Sequence, residues 1–147
     1  MPHLCWLLQI ISPVLIINTY PVAEVPPVAI AGTLVWILGF LFESIGDKQL
    51  KDFLAKAENK GRIMDNGLWR YTRHPNYFGE VTQWWGIGII ALTSDYGMIG
   101  LIGPAVITFL IVKVSGVPLL ENKYADNPAY QAYKKRTSML VPLPARR

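Results

Sequence analysis

Four stretches without a charged side chain dominate this 147-residue chain. Leu4 to Tyr20 runs 17 residues, and Pro27 to Phe42 runs 16, or 18 if counted from Val25. Val81 to Thr93 runs 13, extendable through Tyr77 to Glu80, and Gly97 to Val112 runs 16. A helix that crosses a bilayer needs roughly 17–25 predominantly apolar residues. Two blocks reach that range and two need their flanks. Four such blocks in so short a chain argue against a soluble domain. Only 16% of residues are charged and 52% are hydrophobic, which excludes a disordered chain. A lone Cys5 and two His exclude a disulfide framework, a multi-cysteine zinc site and a three-His metal site, so no metal is expected.

Charge placement orients the blocks. None of the 14 Lys and Arg precedes the first block or lies between the first and second or the third and fourth. All fall in the central loop, just after the fourth block, or in the tail. The positive-inside rule makes that face cytosolic. The expected fold is all-α and polytopic, a single membrane domain over 1–147. Its four transmembrane helices lie at about 4–20, 25–42, 77–93 and 97–113, with a cytosolic helical loop over 43–76. A cytosolic tail over 114–147 carries an amphipathic helix, and both termini are cytosolic. The membrane is the inner membrane in a bacterium or the endoplasmic reticulum in a eukaryote. The basic charge then needs no nucleic acid to explain it. The first block lacks the positive start and small-residue cleavage site of a signal peptide.

The polar chemistry collects on the cytosolic face. Glu43 to Asn59 reads as a helix with Leu50, Phe53, Leu54 and Ala57 on one face and Gly61 as its stop. Glu43, Asp47 and Lys51 share another face. That row is either a solvated stripe with a helix ion pair or a polar path leading from a membrane helix, where a carboxylate needs a cavity or a partner. In Gly67 to Glu80, Arg70, Arg73 and His74 precede Pro75. Proline suits the first turn of a helix and disfavours helical backbone in the residue before it. A helix should therefore begin at Pro75 or Asn76, its positive end beside two arginines, which makes a ready anion site. The bland alternative is a membrane-interface anchor of Arg, Trp and Tyr. Asn76, Glu80 and Gln83 continue as one face of that helix. In the tail, Asp126-Asn127-Pro128 reads as a helix start with Asn127 as cap. Tyr130, Tyr133 and Lys134 form one face, of a kind also found in an interfacial helix that meets headgroups.

Rossmann, P-loop, His-Glu-x-x-His and Gly-x-Ser-x-Gly patterns are absent. Gly97, Gly100 and Gly103 form a small-residue face for close helix packing. A cofactor site, if present, lies between membrane helices.

Residues Gly67 to Glu80, followed by Trp84-Trp85, resemble the signature of the DUF1295 family, related to the steroid 5-alpha-reductase C-terminal domain. Ser115 to Glu121, Tyr130 to Ser138 with the closing Pro-Leu-Pro, and Glu43 with Asp47 and Gln49 resemble that family too. The resemblance spans about residues 25 to 144. It implies a membrane oxidoreductase that uses NADPH to reduce a C=C bond in a lipophilic, steroid-like or isoprenoid substrate. On that reading Arg70, Arg73, His74 and Asn76 hold cofactor phosphates or ribose, with Asp47, Glu121, Tyr130, Tyr133 and Arg136 completing the pocket. Glu43, Tyr77 and Glu80 orient the nicotinamide or relay a proton. A wider relative, isoprenylcysteine carboxyl methyltransferase, shares an Arg-His-Pro-x-Tyr motif, which implies the alternative of S-adenosylmethionine and methyl transfer. Members of the reductase branch carry further N-terminal membrane helices, so the chain is expected to be the cofactor half of something larger, or a remnant without chemistry.

Overall fold

The computed structural model describes residues 2–19 and 24–146, with side chains from Gln9 onward. The expected turn between the first two blocks falls partly on residues 20–23, outside the described residues, as do the side chain of Cys5 and Arg147. Among the described residues the chain is helical, and the sole strand-like pairing is a parallel bridge between Thr72 and Ser138.

Helix α1 covers Pro2–Thr19, α2 Pro27–Leu54, α3 Pro75–Ala91, α4 Ile102–Phe109, α5 Val117–Lys123 and α6 Pro128–Arg136. A tight 3-10 segment, Gly97–Leu101, leads into α4, and a π-helical turn, Leu110–Val114, follows it. In that turn Ser115 N donates to Leu110 O at 2.8 Å.

Two apolar helical runs are long enough to cross a membrane, Pro27–Leu54 and Gly97–Lys123. The other two expected spans are shorter. The first contributes the described apolar stretch Gln9–Thr19, and α3 has 17 residues. The outer surface of α2 exposes Ile30, Leu34, Ile37, Leu38, Phe40, Leu41 and Ile45. A contiguous apolar face of that length marks a surface that meets lipid or another protein.

Helix α2 differs from expectation. No break separates the second membrane block from a cytosolic helix over 43–59; a single 28-residue helix runs through both. Charge changes the preferred solvent of a helix face but leaves its backbone hydrogen bonds intact, and no proline interrupts residues 28–54. The helix stops at Leu54 instead of Asn59. The Asn59 side chain folds back so that Nδ2 donates to Phe53 O at 2.9 Å, satisfying a terminal carbonyl. Gly61 has φ +79°, a left-handed turn suited to glycine.

Helices α2 and α3 pack antiparallel on glycine. Gly32, Gly39 and Gly46 recur every seventh residue on α2, and Gly79 and Gly86 do so on α3. A Cβ on Gly39 would lie 2.6 Å from Gly79 O, and one on Gly32 2.7 Å from Gly86 O. The two backbones therefore approach as closely as small residues permit. The expected small face of Gly97, Gly100 and Gly103 also packs tightly. Gly100 and Gly103 lie against Pro13 of α1, and Gly97 against the end of α3.

Both proline-led starts appear as expected. Pro75 opens α3, and His74 before it has φ −139°. Asn127 caps α6, its Oδ1 accepting from Ala129 N at 3.0 Å and Tyr130 N at 3.2 Å. Beyond α6 the chain forms a non-helical strap over 137–146, laid across the turn that precedes α3. Arg73 N donates to Ser138 O at 2.8 Å, Leu143 N to Tyr71 O at 3.0 Å, and Thr72 Oγ1 to Met139 O at 3.2 Å.

Candidate functional site

The turn before α3 is fixed from several sides. Trp69 Nε1 donates to Gly46 O at 3.0 Å, and Leu68 N to Gln49 Oε1 at 2.9 Å. Tyr133 OH donates to Trp69 O, and His74 N to the hydroxyl of the fully buried Thr72 at 3.2 Å. These contacts tie α2, α3 and α6 together and bring the motifs to one place.

A buried ion cluster sits at the centre. Arg73, 7% exposed, donates from Nε to Glu121 Oε1 at 2.8 Å, and its Nη2 lies 2.6 Å from the same oxygen. Arg73 Nη1 donates to Lys134 O at 3.1 Å and Thr137 O at 2.6 Å. Glu121 Oε2 receives Lys134 Nζ at 2.6 Å. The guanidinium is thus committed to protein partners, and it holds α5, α6 and the strap against the start of α3. His74 Nε2 lies 3.5 Å from Glu121 Oε1, is buried, and makes no hydrogen bond among the described residues. Its ring stacks on Tyr77, centroids 5.5 Å apart at 20°.

Burial pushes the His74 pKa below its ordinary 6.5, and the Glu121 carboxylate offsets only part of that. The unfolded chain therefore takes up a proton on His74 more readily than the folded one. The stabilisation present above about pH 6.5 declines as the pH falls below it. Thermal unfolding in detergent should show a lower Tm at pH 5.5 than at pH 7.5, and His74→Gln should flatten that slope. Burial also pushes the Tyr130 hydroxyl up to about 12 and raises Tyr133, so both remain neutral hydrogen-bonding groups near pH 7.

Glu43, Asp47, Tyr77 and Glu80 form a second group on the facing sides of α2 and α3. Gln83 Nε2 donates to Glu43 Oε2. Gly79, beside Glu80, packs on Glu43, with 2.7 Å from an added Cβ to Glu43 Cβ. The stacked His74–Tyr77 pair joins this row to the ion cluster.

The remaining expected site residues lie elsewhere. Arg70 and Arg136 are exposed and share a surface groove with Asp65, which pairs with Arg136. Asn76 lies in the first turn of α3, its backbone N facing Gly46. Lys134, Trp69, Thr72 and Gln83 were not among the residues expected to form the site. The face shared by Lys134 with Tyr130 and Tyr133, and the i, i+7 placement of Gln83 from Asn76, were the available signals.

An open cleft of about 170 Å³ lies between the end of α2 and helices α5 and α6. Trp69, Tyr124, Tyr130 and Tyr133 supply aromatic walls and Arg62 a cation with no partner among the described residues, and His74 reaches the lining with its Nε2 buried. Aromatic faces and one free guanidinium suit part of a nucleotide cofactor. The volume is below the roughly 300–1,000 Å³ of a complete small-molecule site.

Part of the chain resembles bovine (Bos taurus) 3-oxo-5-alpha-steroid 4-dehydrogenase 1, 32% identical over 63 residues, 43% of this chain and 24% of that protein. The mouse (Mus musculus) protein of the same name is 29% identical over 63 residues, 43% of this chain and 25% of its own length. Steroid 5-alpha-reductase DET2 of Gossypium hirsutum is 30% identical over 61 residues, 42% of this chain and 24% of its own length. The matches thus cover about a quarter of these curated relatives. No solved structure matches the chain. Residues 3–137, nearly the whole chain, match the family described as "Protein of unknown function (DUF1295)", and the chain belongs to that family.

Proposed function

We propose that this chain is the cofactor-binding part of a membrane oxidoreductase that uses NADPH to reduce a C=C bond in a lipophilic, 3-oxo-steroid-like substrate. Four membrane helices, with both termini and the cleft on the cytosolic side, complete the reading. The carrying observation is the ionisable row Glu43, Asp47, Tyr77 and Glu80, which runs between α2 and α3 and meets the aromatic, cationic cleft through His74. The names of the relatives support the reaction class.

When bound, the cofactor supplies the hydride, and the protein supplies position and electrostatics. Arg62 and the tyrosine walls would hold one end of the dinucleotide. Arg73 positions Glu121 and the strap and leaves phosphate contact to the exposed cations. Tyr77, flanked by Glu80 and Asp47, delivers the proton that balances reduction. Gln83 holds the Glu43 carboxylate beside Glu80.

NADPH fluorescence titration of the full-length protein in detergent tests the cofactor, with S-adenosylmethionine as the competing arm. NADPH should bind, and Arg62→Ala should weaken it. Tyr77→Phe should leave NADPH affinity unchanged and lower turnover of a 3-oxo-4-ene steroid by roughly 10²-fold or more, the scale of general acid catalysis. Binding of S-adenosylmethionine alone would overturn the reading in favour of methyl transfer. Binding of neither would leave a non-catalytic subunit.

A further inference from the structure

The strap over 137–146 has two properties that the proposed chemistry does not use. Exposure alternates along it: Met139 is 36% exposed, Val141 55% and Leu143 51%, while Leu140 and Pro142 are half-buried. Three apolar side chains are therefore exposed within five residues. Beside them stands the exposed ring of Tyr71, whose carbonyl accepts from Leu143 N at 3.0 Å. The second property is charge. Lys134, Lys135, Arg136 and Arg146 surround a cavity of about 270 Å³ under the strap, with Arg73 deeper in. Lys134 and Arg136 are paired to Glu121 and Asp65. The side chains of Lys135 and Arg146 have no partner among the described residues. A basic cavity rimmed by an apolar row matches a phosphate-bearing headgroup with its acyl chains beside it.

The height of the strap agrees. It is fastened to Thr72 and Arg73, three and two residues before α3 starts. The first residue of α3, Pro75, packs on Gly46 of α2, with 3.2 Å from an added Cβ to Pro75 Cγ. Gly46 is four residues past Phe42, the last residue of the uncharged block. Four residues of helix span about 6 Å, which places the strap at the headgroup layer if the block fills the hydrocarbon. Helix α6 is not the membrane-facing element, because Tyr130 and Tyr133 are turned into the protein.

We propose that the strap is a docking surface for anionic phospholipid, with Met139, Val141 and Leu143 dipping into the interface and Lys135 and Arg146 gripping the headgroup phosphate. This rests on the membrane-embedded reading given above.

Amide hydrogen exchange of the full chain in nanodiscs tests it, with phosphatidylcholine alone compared with phosphatidylcholine plus phosphatidylglycerol. Exchange across 138–146 should slow severalfold when phosphatidylglycerol is present, and high salt should abolish the difference. The double variant Lys135→Gln/Arg146→Gln should lose the slowing while exchanging as the wild type does in phosphatidylcholine. Val141→Ser should weaken it without touching a charge. Equal exchange in the two lipids, or full slowing in the double variant, would overturn the proposal. So would equal slowing by free inorganic phosphate in phosphatidylcholine, which would assign the cavity to a soluble anion. Protection of 27–42 in both lipids reports the embedding itself, so failure of the strap and failure of the embedding are separable.

Discussion

Replacing Gly79 with valine is expected to force α2 and α3 apart and to cost about 3 kcal/mol, the upper range for overpacking a tight interface. A Cβ at Gly79 would lie 2.6 Å from Gly39 O and 2.7 Å from Glu43 Cβ, and would also collide with Glu43 N. Two of those atoms are backbone, so no rotamer change relieves the contact. Gly86→Val should behave alike, because its Cβ would meet Trp36 N at 2.6 Å and Gly32 O at 2.8 Å. Gly88→Ala supplies the contrast. Its Cβ would meet Pro104 Cγ at 2.8 Å and Leu101 Cδ2 at 3.3 Å, with no backbone atom among them, and alanine adds only a methyl, so a smaller loss is expected. Unfolding in mixed micelles measures all three. Gly79→Val should also abolish turnover, because the collision falls at the residue that Gln83 holds beside Glu80.

The second large effect is expected from Glu121→Gln. Glu121 is the single carboxylate paired with both Arg73 and Lys134 among the described residues. Its removal leaves the guanidinium of Arg73, 7% exposed, without a counter-charge. Breaking a buried pair by deleting one partner costs roughly 3–5 kcal/mol. Lys134→Met should cost much less, because Lys134 is largely solvated and Glu121 keeps Arg73. A double variant Arg73→Met/Glu121→Met should recover part of the loss, since it removes the unpaired charge. If Glu121→Gln unfolds like the wild type in mixed micelles, Arg73 is hydrated and the cluster does not hold the tail. A second consequence is local: proteolysis within 137–146 should accelerate in Glu121→Gln, because Arg73 loses one of its fixed orientations.

The local punctuation of this fold is legible in the residues. Pro75 after His74 and Pro128 after Asn127 each mark a helix start by sterics and capping, and both starts occur where they are expected. The gathering of Arg73, His74, Glu121, Tyr130 and Tyr133 follows from the motif resemblance. No local pattern carries it, because Arg73 and Glu121 are 48 residues apart. The role of Arg73 is illegible for the same reason. An arginine beside a helix start looks like an anion site until its three partners are known. The continuity of α2 is hidden by Glu43, Asp47 and Lys48, whose charges suggest the end of one element where the backbone continues. The seven-residue glycine repeat on α2 and α3 is written openly in the sequence. The shorter repeat at Gly97, Gly100 and Gly103 marks a second, smaller packing face, against Pro13 and the end of α3.

The unbroken α2 has a mechanical meaning. Its 28 residues span about 42 Å, against roughly 30 Å of hydrocarbon. The exposed Leu34 and Leu41 and the cleft-lining Leu50, Phe53 and Leu54 belong to one stiff rod. With no proline between them, a change in the tilt of that rod swings its C-terminal end as a lever. On the membrane-embedded reading proposed above, a thinner or thicker bilayer would therefore shift the cleft wall, and membrane thickness becomes an input to the geometry of the site.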